Sequence, residues 1–206
     1  MTLRYRVGAL TAACLLALGT SVGLATAQKA PSIPYEKFTL PNGLEVILHV
    51  DRSVPIVAVE NFYKVGSGDE KRGRTGFAHL FEHVMFMGSQ NVPVGKFDEW
   101  LEAAGASNNG STNFDRTNYF QTVPRPALER ALWLESDRMG YLLGAVTQEK
   151  LDNQRGVVQN EKRQGDNQPG GLVFYEVLKQ IFPEGHPYRH NVIGSMADLD
   201  SASLED

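Results

Sequence analysis

The segment Gly76–Ser89, GFAHLFEHVMFMGS, decides how this sequence is interpreted. Its apolar residues predict a helix over about residues 76–87. His79, Glu82 and His83 lie within that helix, at positions where Leu or Val would pack better. Burying two imidazoles and an ionised carboxylate without partners would cost several kcal/mol. These three side chains therefore need partners, and their clustering indicates a functional site.

The spacing of these polar residues suits a metal ion. Residues four apart on a helix lie roughly 40° from each other around the axis, so His79 and His83 can offer two ring nitrogens to one metal. Glu82 lies close to the same face and can reach a water molecule without being a ligand. H-x-x-E-H is the inverted form of the zinc-peptidase helix motif. The alternative is a buried polar network, which needs partners elsewhere in the chain.

A catalytic zinc site needs a third protein ligand and keeps one open position. The later segment VVQNEKRQ offers Glu161 within a predicted amphipathic helix. Taken alone, Glu161 would be interpreted as an ordinary exposed helix glutamate. The residues by themselves leave both interpretations of Glu161 open.

The N-terminal residues predict a secretory signal peptide over residues 1–27. Arg4 and Arg6 precede a long apolar stretch, and ATA at 25–27 fits a cleavage site. The alternative is an uncleaved membrane anchor, since the run is long enough to span a bilayer. We expect export, periplasmic in a bacterial host, and no stable membrane insertion after cleavage. Because Cys14 is the only cysteine, the mature part has no disulfide and no thiolate ligand.

Composition limits the partners of the mature part, residues 28–206. The chain has 20 Lys and Arg residues against 24 Asp and Glu residues, with a net charge of −4. No basic stripe is present, so we expect no nucleic-acid partner. The length suffices for one domain with a core. The last residues resemble the start of a helix, so we expect a domain truncated at its C-terminal end.

The order of predicted elements indicates an α+β fold. Asn42-Gly43 predicts a hairpin with positive φ at both residues. A long, largely buried strand is expected over about 54–65, and two short strands flank a polar turn at Asp115-Arg116. Helices are expected before Gly105, after Pro126, after an N-cap at Thr147, and over about 171–181. We expect a mixed, mostly antiparallel sheet with helices packed on it.

Several of these segments resemble the pitrilysin/insulinase-type zinc metallopeptidases, which include the mitochondrial processing peptidases. The similar segments are LPNGLEVIL, GFAHLFEHVMFMGS, VVQNEKRQ, and HPYRHNVIGSMADL. The resemblance implies the fold of the metal-bearing domain of that family. It also implies one Zn²⁺ bound by His79, His83 and Glu161, with Glu82 as the general base that activates water for peptide hydrolysis.

The same resemblance implies two further roles. Asn109, in GASNNGSTNFDRTNY, matches a residue that holds substrate backbone at a sheet edge, where the peptide adds as a strand. As an alternative, Asn109 is only a loop or turn residue. Gln154 stands where many relatives carry an acidic residue that orients the site, so here a hydrogen bond remains possible but the charge is gone.

The main functional prediction is a secreted zinc metalloendopeptidase acting on peptides or unfolded segments. The family resemblance implies a second homologous domain or subunit that closes the chamber. One alternative is a non-catalytic structural subunit, and another is a metal-binding module without catalysis. A lyase with a similar motif is set aside because that chemistry needs a cysteine, which the mature part lacks.

Overall fold

The computed structural model describes residues 32–206 of the chain. They divide into two compact units, the first ending at Arg52 and the second spanning Ser53–Asp206. The signal peptide predicted for residues 1–27 lies outside the described residues. Within residues 32–206, no helix combines the length and apolar character needed to cross a membrane.

The first unit contains the predicted hairpin. Strands β1 (Glu36–Thr39) and β2 (Glu45–Leu48) pair antiparallel. Gly43 has a φ of 89°, but the prediction of a positive φ at Asn42 was wrong, since only glycines adopt positive φ in the described chain. Because five residues connect the strands, no two-residue turn forms. The Asn42 side chain instead accepts a hydrogen bond from the Leu44 N–H at 3.1 Å.

The second unit contains a three-stranded antiparallel sheet in the order β3-β5-β4. The strands are β3 (Ile56–Tyr63), β4 (Ser107–Thr112) and β5 (Thr117–Pro124). The predicted pair of strands around Asp115-Arg116 is confirmed, with Thr112 opposite Thr117 at the start of the hairpin. The predicted α+β class with a mostly antiparallel sheet is also confirmed.

Strand β3 differs from its prediction as a largely buried strand. Its residues alternate between half-buried and exposed, and Phe62 is 56% exposed. Successive side chains of a strand point to opposite faces of the sheet, so every second residue of β3 points away from the packed face. Branched and aromatic residues favour a strand but do not reveal how many of its faces are covered.

Residues 32–206 also form six α-helices. They are α1 (Phe77–Val84), α2 (Lys96–Glu102), α3 (Leu128–Tyr141), α4 (Gln148–Asp166), α5 (Val173–Ile181) and α6 (Met196–Asp200).

Several predicted helix ends are confirmed. The Thr147 hydroxyl accepts the Lys150 N–H at 3.3 Å and caps α4. Gly105, with a φ of 75°, follows α2 and lets Ala106 N–H bond back to Leu101 O. Pro126 lies in a short 3₁₀ turn directly before α3.

The helix that carries the histidines is shorter than the predicted span of 76–87. The Phe86 and Met87 N–H groups bond three residues back, to His83 O and Val84 O, so the chain tightens into turns. Gly88, with a φ of 78°, then redirects the backbone. The change of hydrogen-bond pattern ends α1 at Val84.

Two buried clusters position the helices. One joins α2, α3 and β5 through Phe97, Leu101, Val123 and Leu134. The other joins α1, α4 and α6 through Leu80, Leu151, Val158 and Leu199. Burial of each such side chain contributes about 1.5–3 kcal/mol, so the second cluster holds α1 firmly against α4.

Candidate metal centre

Helix α1 presents two histidines on one face. The ring centroids of His79 and His83 lie 4.8 Å apart, with an interplanar angle of 82°. Each side chain is 18% exposed. Leu80, one residue from His79, is buried against α4, so the helix cannot rotate without losing that packing. The spacing in the sequence therefore produces the predicted pair of ring nitrogens.

Glu161 on α4 faces both rings. Its Oε2 lies 3.8 Å from Nε2 of His79 and 3.5 Å from Nε2 of His83. The ligand atoms of the three residues all lie within 4.8 Å of one another. Glu161 is thus placed with the histidines, although its side chain remains 44% exposed.

These atoms fit a zinc ion. Two imidazoles and one carboxylate are a common donor set of catalytic zinc, and bonds of about 2.0–2.2 Å in a tetrahedron separate donors by roughly 3.3–3.6 Å. The observed separations of 3.5 and 3.8 Å are close to that range. Burial, and then the charge of His83, lower the pKa of His79 to about 4. His79 is therefore neutral near pH 7, as a ligand must be.

The other ring nitrogens of the two histidines have different surroundings. Nδ1 of His83 lies 3.3 Å from the Gln154 side-chain oxygen. An amide oxygen only accepts, so Nδ1 carries the proton and Nε2 keeps its lone pair towards Glu161. Nδ1 of His79 is buried and has no hydrogen-bond partner among the described residues. Among residues 32–206, a hydrogen bond thus reaches Nδ1 of His83 and none reaches Nδ1 of His79.

Glu82 leaves α1 on the side that faces β4. It is 9% exposed, and its Oε2 accepts a hydrogen bond from the Thr112 hydroxyl. Burial raises the pKa of Glu82, while the Thr112 hydrogen bond opposes that shift. A Cβ added at Gly110 would lie only 3.1 Å from Oε1 of Glu82, so β4 packs closely against the carboxylate.

A cleft of about 500 Å³ opens at these residues. His79, Glu82 and residues 110–112 of β4 line one part of it, and Glu161 lies in the same cleft. Tyr175 on α5 and residues 191–193 also line it. His79, the candidate base Glu82 and the edge of β4 therefore line the same cleft.

Asn109 has a different environment. Its side chain is exposed, and Oδ1 accepts the N–H of Gly110 at 2.8 Å. The residues that line the cleft begin one position later, at Gly110. The backbone of this strand edge lies at the cleft, whereas the role of the Asn109 side chain stays a prediction.

Sequence reasoning missed Thr112, which contacts the Glu82 carboxylate directly. Its segment, NNGSTNF, contains several polar residues of similar character. Because side chains alternate along a strand, Gly110 and Thr112 share a face. The alternation alone predicts that Gly110 and Thr112 share a face of β4. The neighbouring residues in the sequence do not show that α1 packs on that face.

An α+β unit that presents an inverted H-x-x-E-H helix beside a distal glutamate has the features of a metallopeptidase domain. The chain belongs to the Insulinase family (Peptidase family M16), whose sequence profile matches residues 45–194. The predicted resemblance is therefore confirmed.

Named relatives support the same assignment. Zinc protease PqqE of Helicobacter pylori is 33% identical over 174 residues, which cover 84% of this chain and 38% of that protein. The insulin-degrading enzyme homolog of Dictyostelium discoideum is 36% identical over 167 residues, or 80% of this chain and 17% of that protein. The chain thus spans well under half the length of either relative.

Solved structures share the fold. A protease from Helicobacter pylori superposes with a TM-score of 0.80 at 33% identity, covering 84% of this chain and 41% of that one. Pitrilysin superposes with a TM-score of 0.70 at 25% identity, covering 83% of this chain and 18% of pitrilysin. A peptidase M16 inactive domain from Pseudomonas fluorescens superposes with a TM-score of 0.73 at 19% identity, covering 84% of this chain and 41% of that one. The fold alone therefore does not distinguish active from inactive domains.

Proposed function

We propose that this chain is the metal-bearing domain of a zinc metalloendopeptidase that cleaves peptides or unfolded polypeptide segments. The observation that supports this proposal is the convergence of His79, His83 and Glu161 on one point, with Glu82 at the same cleft. Relatives named as zinc proteases and peptidases agree with it.

Each polar residue has a distinct role in the proposed reaction. His79, His83 and Glu161 would hold the zinc ion, which when bound supplies a Lewis acid that acidifies water and polarises a carbonyl. Glu82 would accept the proton of the attacking water and deliver it to the leaving amine. Burial favours proton transfer from water to Glu82, because it raises the pKa of Glu82 and makes the carboxylate a stronger base.

Strand β4 is the proposed place for the substrate backbone. It is the terminal strand of the described sheet, so one of its edges has no paired strand there. Residues 110–112 of that strand line the cleft beside Glu82. A peptide that adds to this edge would bring its carbonyl groups to the metal site, with Asn109 assisting at the edge.

We also propose export and a partner domain. The predicted signal peptide supports secretion, to the periplasm if the host is bacterial. The chain covers 38% of the Helicobacter pylori relative, which supports a second homologous domain or subunit that completes the chamber.

The test is bound zinc per chain in wild type and in Glu161→Gln, together with cleavage of a quenched peptide. We expect about one zinc in wild type and much weaker binding in Glu161→Gln. Glu82→Gln should keep the zinc and lose cleavage. Folded wild type without stoichiometric zinc would overturn the proposal in favour of a non-catalytic subunit. Zinc without cleavage would indicate that the partner domain is required.

A further inference from the structure

The first turn of α1 is capped by a carboxylate from outside the helix. The Glu70 side chain is 4% exposed and accepts the N–H groups of Gly76 at 3.0 Å and Ala78 at 2.8 Å. The first N–H groups of a helix lack partners within it, and Gly76 has no side chain to supply one. A negative charge at this end also interacts favourably with the helix dipole.

His190 holds Glu70 in place. Its Nε2 lies 2.9 Å from Oε2 of Glu70, and its side chain is 25% exposed. His190 belongs to HPYRHNVIGSMADL, one of the segments that resemble the family. Residues 191–193 of this segment line the cleft, whereas His190 itself does not. The other charged group acting on His190 is Asp198 on α6, and the Ser67 backbone contributes a hydrogen bond.

The same segment contacts the residues that lead into α1. Asp198 accepts the Thr75 N–H at 2.9 Å, and the Thr75 hydroxyl accepts the Ser195 N–H at 3.0 Å. Gly194, with a φ of 73°, approaches so closely that an added Cβ would lie 2.4 Å from Gly76 N. These contacts hold the start of α1 against the segment around residues 190–198.

We propose that Glu70 and His190 are positioning residues that set the metal affinity of the histidine pair. The Ala78 N–H that Glu70 accepts adjoins His79, which lies in the first turn of α1. If that turn frays, the His79 ring loses its orientation towards Glu161, while His83 in the last turn is still held by Gln154. This inference rests on the proposed function, because it concerns the same ligand set.

The experiment measures the zinc dissociation constant by chelator competition on the purified chain. Glu70→Gln removes the capping charge, and we expect binding to weaken by about tenfold, as for other residues that orient metal ligands. His190→Gln should have a smaller effect, because Glu70 keeps its two backbone hydrogen bonds. His190→Arg should restore binding, since a guanidinium also pairs with the carboxylate.

A matched control separates positioning from general loss of stability. Leu134 is fully buried in the cluster of α2, α3 and β5, which contains no residue of α1. Leu134→Ala should lower the melting temperature and leave the zinc dissociation constant unchanged. Should Glu70→Gln unfold the chain, the two His190 variants carry the test.

The outcomes are distinct. Wild-type affinity in both Glu70→Gln and His190→Gln would overturn this inference and leave the proposed function intact. If Leu134→Ala weakens zinc binding as much as Glu70→Gln does, the inference is also overturned, because the loss of affinity would then follow from lower stability alone. Wild type that binds no zinc would overturn the proposed function, and this inference with it.

Discussion

The side-chain oxygen of Gln154 lies 3.3 Å from Nδ1 of His83, so a residue on α4 contacts a candidate ligand on α1. The Gln154 amide nitrogen in turn contacts Met87 Sδ at 3.0 Å and Asn153 Oδ1 at 2.9 Å. These contacts fix the amide from both ends. The group that accepts from the His83 ring at this position is therefore an uncharged amide oxygen.

Removing this contact should weaken metal binding. We expect Gln154→Leu to raise the zinc dissociation constant by about tenfold, since partners of ligating histidines typically contribute that much. Gln154→Glu should tighten binding, because a carboxylate beside Nδ1 makes the imidazole more basic. Chelator competition measures both. Gln164→Leu, an exposed position on the same helix, should change nothing, and equal affinities in all variants would contradict the assignment.

Thr112 should affect the rate of cleavage and not the metal. Thr112→Val removes the hydroxyl that donates to Glu82, and hydrogen bonds to charged groups contribute roughly 1.5–3 kcal/mol. In preparations that cleave peptide we expect kcat to fall about tenfold or more, because the Glu82 carboxylate loses the contact that positions it and this loss outweighs the rise in its pKa. Zinc content and KM should be unchanged. Thr112→Ser should restore kcat. Thr122→Val changes an exposed position of β5 and is the control. If it lowers kcat as much as Thr112→Val does, the effect does not depend on the contact with Glu82.

Stability should depend on pH through His190. Its hydrogen bond to Glu70 raises the pKa of His190 above the ordinary value. The folded state therefore binds the proton more tightly, and the stabilisation is fully present below about pH 6.5 and is lost as pH rises through the folded pKa. The melting-temperature advantage of wild type over His190→Gln should shrink as the pH is raised.

His190→Arg provides the control for that titration. Arginine stays charged throughout the range, so its advantage over His190→Gln should persist at high pH. A wild-type advantage that is constant with pH would contradict the ion pair with Glu70. Melting curves at intervals between about pH 5.5 and pH 9 distinguish these results.

The buried ion pair of Arg138 and Glu135 should be sensitive to loss of one partner. Their side chains are 2% and 4% exposed, and Arg138 Nε donates to Glu135 Oε2 at 2.9 Å. The guanidinium carbon also lies 4.4–5.3 Å from three ring centroids, those of Phe86, Phe97 and Tyr119. We expect Arg138→Met to lower the free energy of unfolding by about 3–5 kcal/mol, because the Glu135 carboxylate is left buried without a countercharge.

Urea unfolding measures this difference. The exposed pair of Lys179 and Glu176 on α5 is the comparison, and Lys179→Met should cost less than about 1 kcal/mol. The double variant Arg138→Met with Glu135→Leu should recover much of the loss, since no unpaired charge remains. Equal losses for Arg138→Met and Lys179→Met would show that burial does not determine the contribution of the pair.

Much of the site could be predicted because its geometry is local. His79 and His83 share a face through helical periodicity alone, and Thr147 caps α4 through contacts within one turn. Where several local arrangements compete, prediction was less successful. Asn42 was wrongly expected to adopt a positive φ, because the sequence does not show how many residues the hairpin loop contains.

Residues distant in the sequence required the tertiary structure. Glu161 faces the histidines because Leu80 on α1 packs with Leu151 and Val158 on α4. Gln154 meets His83 for the same reason.

The sequence by itself determined that His79 and His83 share a helix face with Glu82 close to it, since helical periodicity acts over a few residues. The tertiary structure alone decided that Thr112 contacts Glu82 across 30 residues of chain, and that His190 supports Glu70 across 120. It also decided that alternate side chains of β3 are exposed. The physical reason is that such contacts depend on which surfaces the core brings together, and burial of the whole apolar set determines that arrangement.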